Sequence, residues 1–246
     1  MMGRNRRPRA AALSALVALV IALAAFAAPP LATPPGQTAA PTLADVFAAI
    51  DHAAPGLHAL SAQADVADYT ALVNDTDRSS GHFYYKSGTA GPMYALELTQ
   101  PAASARTFVY RDRTAYVYTP ASHQVMKYAL GAKPELINQF LQLGVGATSA
   151  ELTKTYQVAL DGPASLDGVA TVKLTLTPIA ATLRDKFPHI DLWYDVHTWV
   201  AVQQQLWQPG GDYHLVHYTK VEVNPRLSDD RFPAKFPGAT VIVPGQ

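Results

Sequence analysis

The stretch from Gly81 to Leu130 leaves a chain like this few options. Four aromatic-rich runs follow one another, His82–Lys86, Tyr94–Thr99, Arg106–Tyr110 and Thr114–Thr119, with short breaks at Ser87-Gly88, Gln100-Pro101, Asp112-Arg113 and Pro120-Ala121. β-Branched and aromatic residues suit a pleated, half-buried surface, and the breaks carry turn chemistry rather than helix chemistry. The segment is predicted to be an antiparallel meander. What covers its apolar face is the question the remaining residues must answer.

Before the meander, Thr42-Leu-Ala-Asp45 reads as a capping box with Asp in place of Glu. Leu43, Val46, Phe47 and Ile50 recur at helical spacing until Pro55-Gly56, so one helix precedes the sheet. From Leu57 to Val73 the period changes to two, with Leu60, Ala62, Ala64 and Val66 on one face. After the meander, Gln124–Leu130 continues as a strand, and Pro134–Leu141 reads as a short amphipathic helix ended by Gly144. Five further strands are predicted over Thr153–Leu160, Val169–Thr177, His189–Asp195, Val200–Gln208 and Asp212–Val223, with hairpin turns at Asp167-Gly168 and Gly210-Gly211. A further short helix is expected near Ala180–Lys186.

The sum is about eleven antiparallel strands and two or three short helices. Side-chain alternation puts Tyr94, Leu96 and Leu98 on one face, and likewise Val172, Leu174 and Leu176, then Ile190, Leu192 and Tyr194, then Val200, Val202 and Leu206. Two short helices cannot cover so large an apolar surface. The sheet must curl around them, and an incompletely filled interior is an apolar cavity.

The N-terminus has a different character. Arg4, Arg6, Arg7 and Arg9 precede an almost purely apolar run from Ala10 to Ala28, with Ala25 and Ala27 flanking Phe26 as an A-x-A cleavage site. Residues 1–27 are therefore expected to be a secretory signal peptide, followed by a disordered Pro/Ala/Thr-rich linker over 28–41 and one folded domain over 42–246. The run approaches bilayer-spanning length, which leaves an uncleaved anchor as the alternative. The absence of cysteine excludes disulfides, thiolate chemistry and a lipid-modified N-terminal cysteine, so the protein is expected to be soluble and periplasmic after cleavage. With four of the 19 basic residues in the first 27 positions, the rest of the chain carries 15 basic against 19 acidic residues. That balance argues against nucleic acid as a partner.

Several strings, in this order, resemble the LolA periplasmic lipoprotein carrier family and its wider superfamily with LolB and RseB. They are Leu98-Thr99-Gln100-Pro101, Asp112-Arg113-Thr114 before Ala115–Tyr118, Thr119-Pro120, Leu176-Thr177-Pro178, Ile190–Asp195, and Phe232–Gly238 followed by Val241-Ile-Val243. The resemblance runs from about Thr42 to Val243 and rests on order and spacing rather than on any one motif. It implies a mainly β (α+β) fold, an unclosed, strongly curved antiparallel β-barrel with short helices as a lid. It also implies a periplasmic carrier that binds lipid or lipoprotein acyl chains and transfers them towards the outer membrane. The alternative within the superfamily is a RseB-like sensor or scaffold that binds a protein partner in the envelope. By face and by family position, the cavity wall is expected to comprise Tyr94, Leu96, Leu98, Leu174, Leu176, Leu192, Val202 and Leu206, with Phe140 and Leu141 on the lid. Its partners would be acyl chains and inner- and outer-membrane envelope proteins, and the protein would be a monomer. One position departs from the pattern: the carrier's arginine after the strand corresponding to His82–Lys86 is replaced here by Ser87-Gly88.

Catalytic and metal chemistry find little support. No G-x-S-x-G elbow, Walker loop, H-E-x-x-H or dinucleotide glycine string occurs, so a non-enzyme without cofactor is expected. Of the eight histidines, His189 shares a strand face with Asp191, whereas His214 and His217 point to opposite faces, so no three-ligand metal site is predicted. Glu97, between Leu96 and Leu98, points away from them. Trp193 alternates with Leu192 and Tyr194 and is expected to pack rather than to stack on sugars.

Overall fold

The computed structural model describes residues 40–129 and 143–244. The expected signal peptide, nearly all of the expected linker and the expected lid helix with Phe140 and Leu141 lie outside those residues. The first element is helix α1 (Leu43–Ala53). Its capping box forms as the sequence requires: the Thr42 hydroxyl accepts from the Asp45 backbone N–H at 3.2 Å, and the Asp45 carboxylate accepts from that of Thr42 at 2.9 Å. A short 3₁₀ turn at Ala54–Gly56 ends the helix at Pro55.

The strands are β1 (Ala59–Thr70), β2 (Asp75–Lys86), β3 (Met93–Gln100), β4 (Arg106–Arg111), β5 (Thr114–Thr119), β6 (Gln124–Ala129), β7 (Tyr156–Leu166), β8 (Val169–Pro178), β9 (Ile190–Asp195), β10 (Ala201–Trp207), β11 (Tyr213–Val223) and β12 (Thr240–Ile242). Helix α2 (Ser149–Thr155) precedes β7, and the single turn α3 (Ala181–Arg184) precedes β9. All twelve strands form one sheet in the order β12-β6-β5-β4-β3-β2-β1-β11-β10-β9-β8-β7. Two meanders, β1–β6 and β7–β11, are joined where β1 pairs with β11, and every pairing is antiparallel except β12 with β6. No pairing joins β7 to β12 among the described residues, so the sheet is an open barrel rather than a closed one. Its ladders slip at four places, Ser61/Gln63, Ser80/Gly81, Leu160/Gly162 and Ala201/Gln203. Such bulges bend a strand and increase its twist, which is how a sheet this wide curls.

One face of the sheet is apolar from end to end, and two different things happen to it. Across β7–β10, Leu174, Leu176, Ile190 and Leu192 are fully buried against Val46 and Ile50 of α1, Leu152 of α2 and Leu183 of α3. Each such side chain contributes about 1.5–3 kcal/mol relative to exposure. Across β1–β4 and β11, Leu60, Ala62, Ala64, Val66, Phe83, Tyr85, Tyr94, Leu98, Tyr110, Val216 and Tyr218 form a second cluster that contains no residue of α1, α2 or α3.

The opposite face of the meander is covered from outside by the segment after β11. Phe232, fully buried, packs with Tyr84, Met93, Ala95 and Val109, while Leu227 and Phe236 flank it. Polar clamps hold the segment: Arg111 donates to the Phe232 carbonyl at 2.7 Å, and Lys86 donates to the Leu227 carbonyl at 3.0 Å and pairs with Asp229 at 2.6 Å. Arg231 lies 4.9 Å from the centre of the Tyr84 ring, and Phe236 stacks on Tyr118 at 4.9 Å. Lys86, immediately before the Ser87-Gly88 turn, is therefore engaged in anchoring this strap.

Three details differ from the sequence expectation. Thr153–Leu160 does not begin as a strand, because Thr148 and Glu151 form a second capping box and start α2, so β7 begins only at Tyr156. The strand expected over His82–Lys86 begins seven residues earlier at Asp75, where polar side chains hide a ladder that Tyr69 and Ala67 of β1 impose. The short parallel strand β12 brings the number of strands to twelve. Among the described residues, no helix is long and apolar enough to cross a membrane.

Two substitutions test this packing. Phe232→Ala is expected to cost about 3–5 kcal/mol, the range for deleting a buried aromatic ring, seen as a lower urea midpoint. At Gly81 an added Cβ would run into the backbone carbonyl of Glu97 on β3. Gly81→Ala is therefore expected to lower stability by about 1–3 kcal/mol, as overpacking does.

Candidate functional site: an apolar cavity on the meander

The half of the inner face against which no helix of the described residues packs carries a cavity of about 460 Å³, within the roughly 300–1,000 Å³ typical of small-molecule sites. Period-two alternation builds its wall. Tyr94, Leu96 and Leu98 come from β3, Arg106, Phe108 and Tyr110 from β4, and Ala115 and Val117 from β5. Register then stacks them into rows: Phe83, Leu96, Phe108 and Val117 are successive cross-strand partners, as are Tyr94, Tyr110, Ala115 and Tyr128. Val66 of β1 and His214 of β11 complete the lining. The floor is aromatic, with ring centres of Phe83 and Tyr94 6.4 Å apart and those of Tyr94 and Tyr110 6.1 Å apart.

Polar groups reach this wall at one end only. His214 Nδ1 lies 2.6 Å from Asp68 Oδ1, and Arg106 Nη2 lies 3.9 Å from Asp68 Oδ2. The hydrogen bond with His214 holds the Asp68 carboxyl below the usual carboxylate range against the opposing effect of burial, and the charge of Arg106 adds to it. Elsewhere the described hollows differ in character; one of about 390 Å³ is lined by polar and apolar side chains together, Asp65, Arg78, Ser79 and Gln100 beside Val66 and Leu215.

The structure separates the expected wall residues into three sets. Tyr94, Leu96 and Leu98 line the cavity. Leu174, Leu176, Leu192 and Leu206 lie on the same face but in the half filled by α1, α2 and α3, where the first three are fully buried. Val202 does not share the face of Leu206. The bulge between Ala201 and Gln203 resets the alternation, so that Ala201 stands opposite Tyr194 and joins the core, while Val202 lines a separate hollow with Leu166, Asp195 and Lys220. Phe83, Arg106, Phe108, Tyr110, Val117, Tyr128 and His214 line the cavity without being singled out by the sequence pattern. The alternation Arg106-x-Phe108-x-Tyr110, in register with Leu98, Leu96 and Tyr94, is the signal that points to three of them.

Several buried polar atoms of β7–β10 have no hydrogen-bond partner among the described residues, the hydroxyls of Tyr156, Tyr194 and Thr171 and the carbonyl oxygen of the Gln204 side chain. Burial pushes the Tyr156 hydroxyl up to about 12, so it stays neutral. On the outer face, Asp191 is buried yet satisfied: it pairs with Lys173 at 3.2 Å and accepts from Thr175 and the Trp207 indole. His189 stacks on Trp207, and no group of three or more His, Asp or Glu side chains comes together as metal ligands would among the described residues.

No protein-family model matches the sequence, and no curated protein does. Solved structures do match the fold. An uncharacterized conserved protein from Thermus thermophilus aligns with a TM-score of 0.52 at 10% identity over 81% of this chain and 98% of its own. MucB aligns at 0.48–0.49, with 14% identity over 78% of this chain in the structure solved alone, and the aligned region spans only 62% of the MucB chain. A LolA superfamily protein from Nitrosomonas europaea aligns at 0.38, with 16% identity over 79% of this chain and 98% of its own. At 10% identity the likeness to the Thermus thermophilus protein is one of fold alone, that of an open, mainly antiparallel sheet.

The two halves of the inner face predict opposite mutational signatures with an apolar fluorescent dye. Leu96→Glu places a charge on the cavity wall and is expected to weaken dye binding at least about tenfold, equivalent to ~1.4 kcal/mol, with little loss of stability. Leu174→Ala is expected to lower stability by about 2–5 kcal/mol and leave the dissociation constant of the folded protein unchanged. Dye titration and urea denaturation of both variants measure the contrast.

Proposed function

We propose that this protein of LolA-like fold is a carrier of the cell envelope that takes the acyl chain of a lipid or lipoprotein into the cavity above the β1–β6 meander. The observation that carries the reading is the unequal covering of one apolar face. Among the described residues, helices fill the β7–β10 half, while the meander half keeps a cavity of about 460 Å³ walled by Leu96, Leu98, Phe108 and Val117. A methylene group takes up about the volume of a water molecule, ~30 Å³, so the cavity accommodates on the order of fifteen. At about 0.8 kcal/mol per buried CH₂ that is a gross gain near 12 kcal/mol. Ordering and association costs of roughly 4–15 kcal/mol oppose it. The balance is reversible binding, which a carrier requires and a storage site does not.

The arginine-led apolar run at the N-terminus supports export, so the periplasm is the proposed compartment, with handover towards the outer membrane. The wall supports binding rather than catalysis: it offers side chains that shed water, and its ionic groups sit at one end instead of converging on a reacting centre. The cargo would enter and leave by the open side of the barrel, without unfolding the sheet.

Protein expressed with its N-terminal segment and purified from its own envelope is expected to carry bound lipid in native mass spectrometry. After delipidation it is expected to bind one fluorescent fatty acid per chain. Absence of both, together with an experimental structure in which the protein's own residues fill the cavity, would overturn the carrier role. A stable complex with a single envelope protein and no lipid would instead favour a sensor on the same fold.

A further inference from the structure

Among the side chains that line the cavity only Arg106 and His214 can carry a positive charge, and Arg106 is loosely held. Its Nε is buried and has no hydrogen-bond partner among the described residues. Its contact with Asp68 spans 3.9 Å, beyond the roughly 2.7–3.2 Å of an N–H···O bond. Its guanidinium carbon sits 5.6 Å from the centre of the Phe108 ring. Arg111, on the other face of the same strand, is by contrast engaged, with the Phe232 carbonyl at 2.7 Å and Asp112 at 3.0 Å. Guanidinium carries five donors and no acceptor, and an unmade buried hydrogen bond costs about 1–3 kcal/mol. Arg106 thus stands at an apolar cavity with donors to spare.

Resting on the carrier reading, we infer that the occupant is a single-chain amphiphile with an anionic head, a carboxylate or a phosphate, paired with Arg106 while its tail lies among Leu96, Phe108, Val117 and Tyr128. The geometry supports each part. Room for on the order of fifteen methylenes, at ~30 Å³ each, suits one chain and not several. The Arg106 side chain is 39% exposed, so an ionic head bound there keeps part of its hydration and avoids the full desolvation cost. Planar guanidinium engages carboxylate or phosphate through two parallel N–H···O bonds, about twice as strong as neutral ones. A neutral hydroxyl head would leave most of those donors unused. Asp68 tempers the site: held by His214, it offsets the charge of Arg106. The head is bound, but not so tightly that it cannot leave.

The test compares palmitate, hexadecyl phosphate and hexadecanol, which share one tail, in displacement of an apolar dye from the delipidated chain lacking residues 1–27. The native protein is expected to bind at least one of the two anions more tightly than the alcohol, and the preferred anion identifies the head. Arg106→Gln is expected to weaken that anion about ten- to a hundredfold, the range for hydrogen bonds to charged groups, while alcohol binding, which reports an intact cavity, is retained. Asp68→Asn, which removes the competing charge without touching the apolar wall, is expected to tighten the anion several-fold. Equal binding of acid and alcohol, with neither variant shifting one relative to the other, would overturn the head-group site and leave the carrier role standing. Failure of all three probes to bind the native protein would overturn both.

Discussion

The fold is governed by a mismatch of areas. One face of a twelve-stranded sheet is largely apolar across its width, and the helices that cover it among the described residues, α1, α2 and the single turn α3, are short. A flat sheet would leave most of that face in water, at about 25 cal/mol for every Å². Curling brings the face against itself and against the helices, and the four bulges supply the bends. The helices are spent entirely on β7–β10. The meander half must shed water by curvature and aromatic bulk, and what they leave unfilled is the cavity.

The cavity wall is supported from its other side by the strap after β11. Phe232 lies behind Ala95 and Val109, which alternate with the cavity residues Tyr94, Leu96, Phe108 and Tyr110 on the same two strands. The strap is thus the back layer of the site: it buries the outer face of the strands whose inner face is left open. Lys86 and Arg111 fasten it through backbone carbonyls as well as carboxylates. Such charge-assisted bonds contribute more than exposed ion pairs, which are worth little. A side chain at position 86 therefore serves the rigidity of the meander rather than its contents.

Much of the architecture is legible in the sequence because it rests on local rules. Thr42 and Asp45 announce α1, the aromatic runs announce the meander, and the excess of apolar strand over helix announces a hollow. The same rules name Tyr94, Leu96 and Leu98, whose strand has no interruption between them. They fail where the answer depends on non-local partners. Leu174 and Leu192 have the same strand pattern as Leu96, and only the docking of α1 and α2 makes them core. Val202 and Ala201 exchange faces through a bulge that leaves no mark in the alternation of Val200, Val202 and Leu206. Thr148-x-x-Glu151 is a readable capping box, but β-branched Thr153 and Thr155 favour a strand and mask it.

The direction in which polarity varies also matters. Across the sheet, from Phe83 through Leu96 and Phe108 to Val117, the wall stays apolar, so a tail lying along that row meets no change of environment. Along β4 it changes steeply: Arg106 is 39% exposed, Phe108 is half-buried and Tyr110 is 4% exposed, all on one face two residues apart. Two residues of strand rise about 6.6 Å, so the step from ion to fully buried ring takes on the order of 13 Å. An amphiphile placed on this surface has one orientation of lowest free energy, head at the Arg106 end and tail inward. That orientation follows from the alternation of a single strand, Arg106-x-Phe108-x-Tyr110, set against a wall that the helices did not fill.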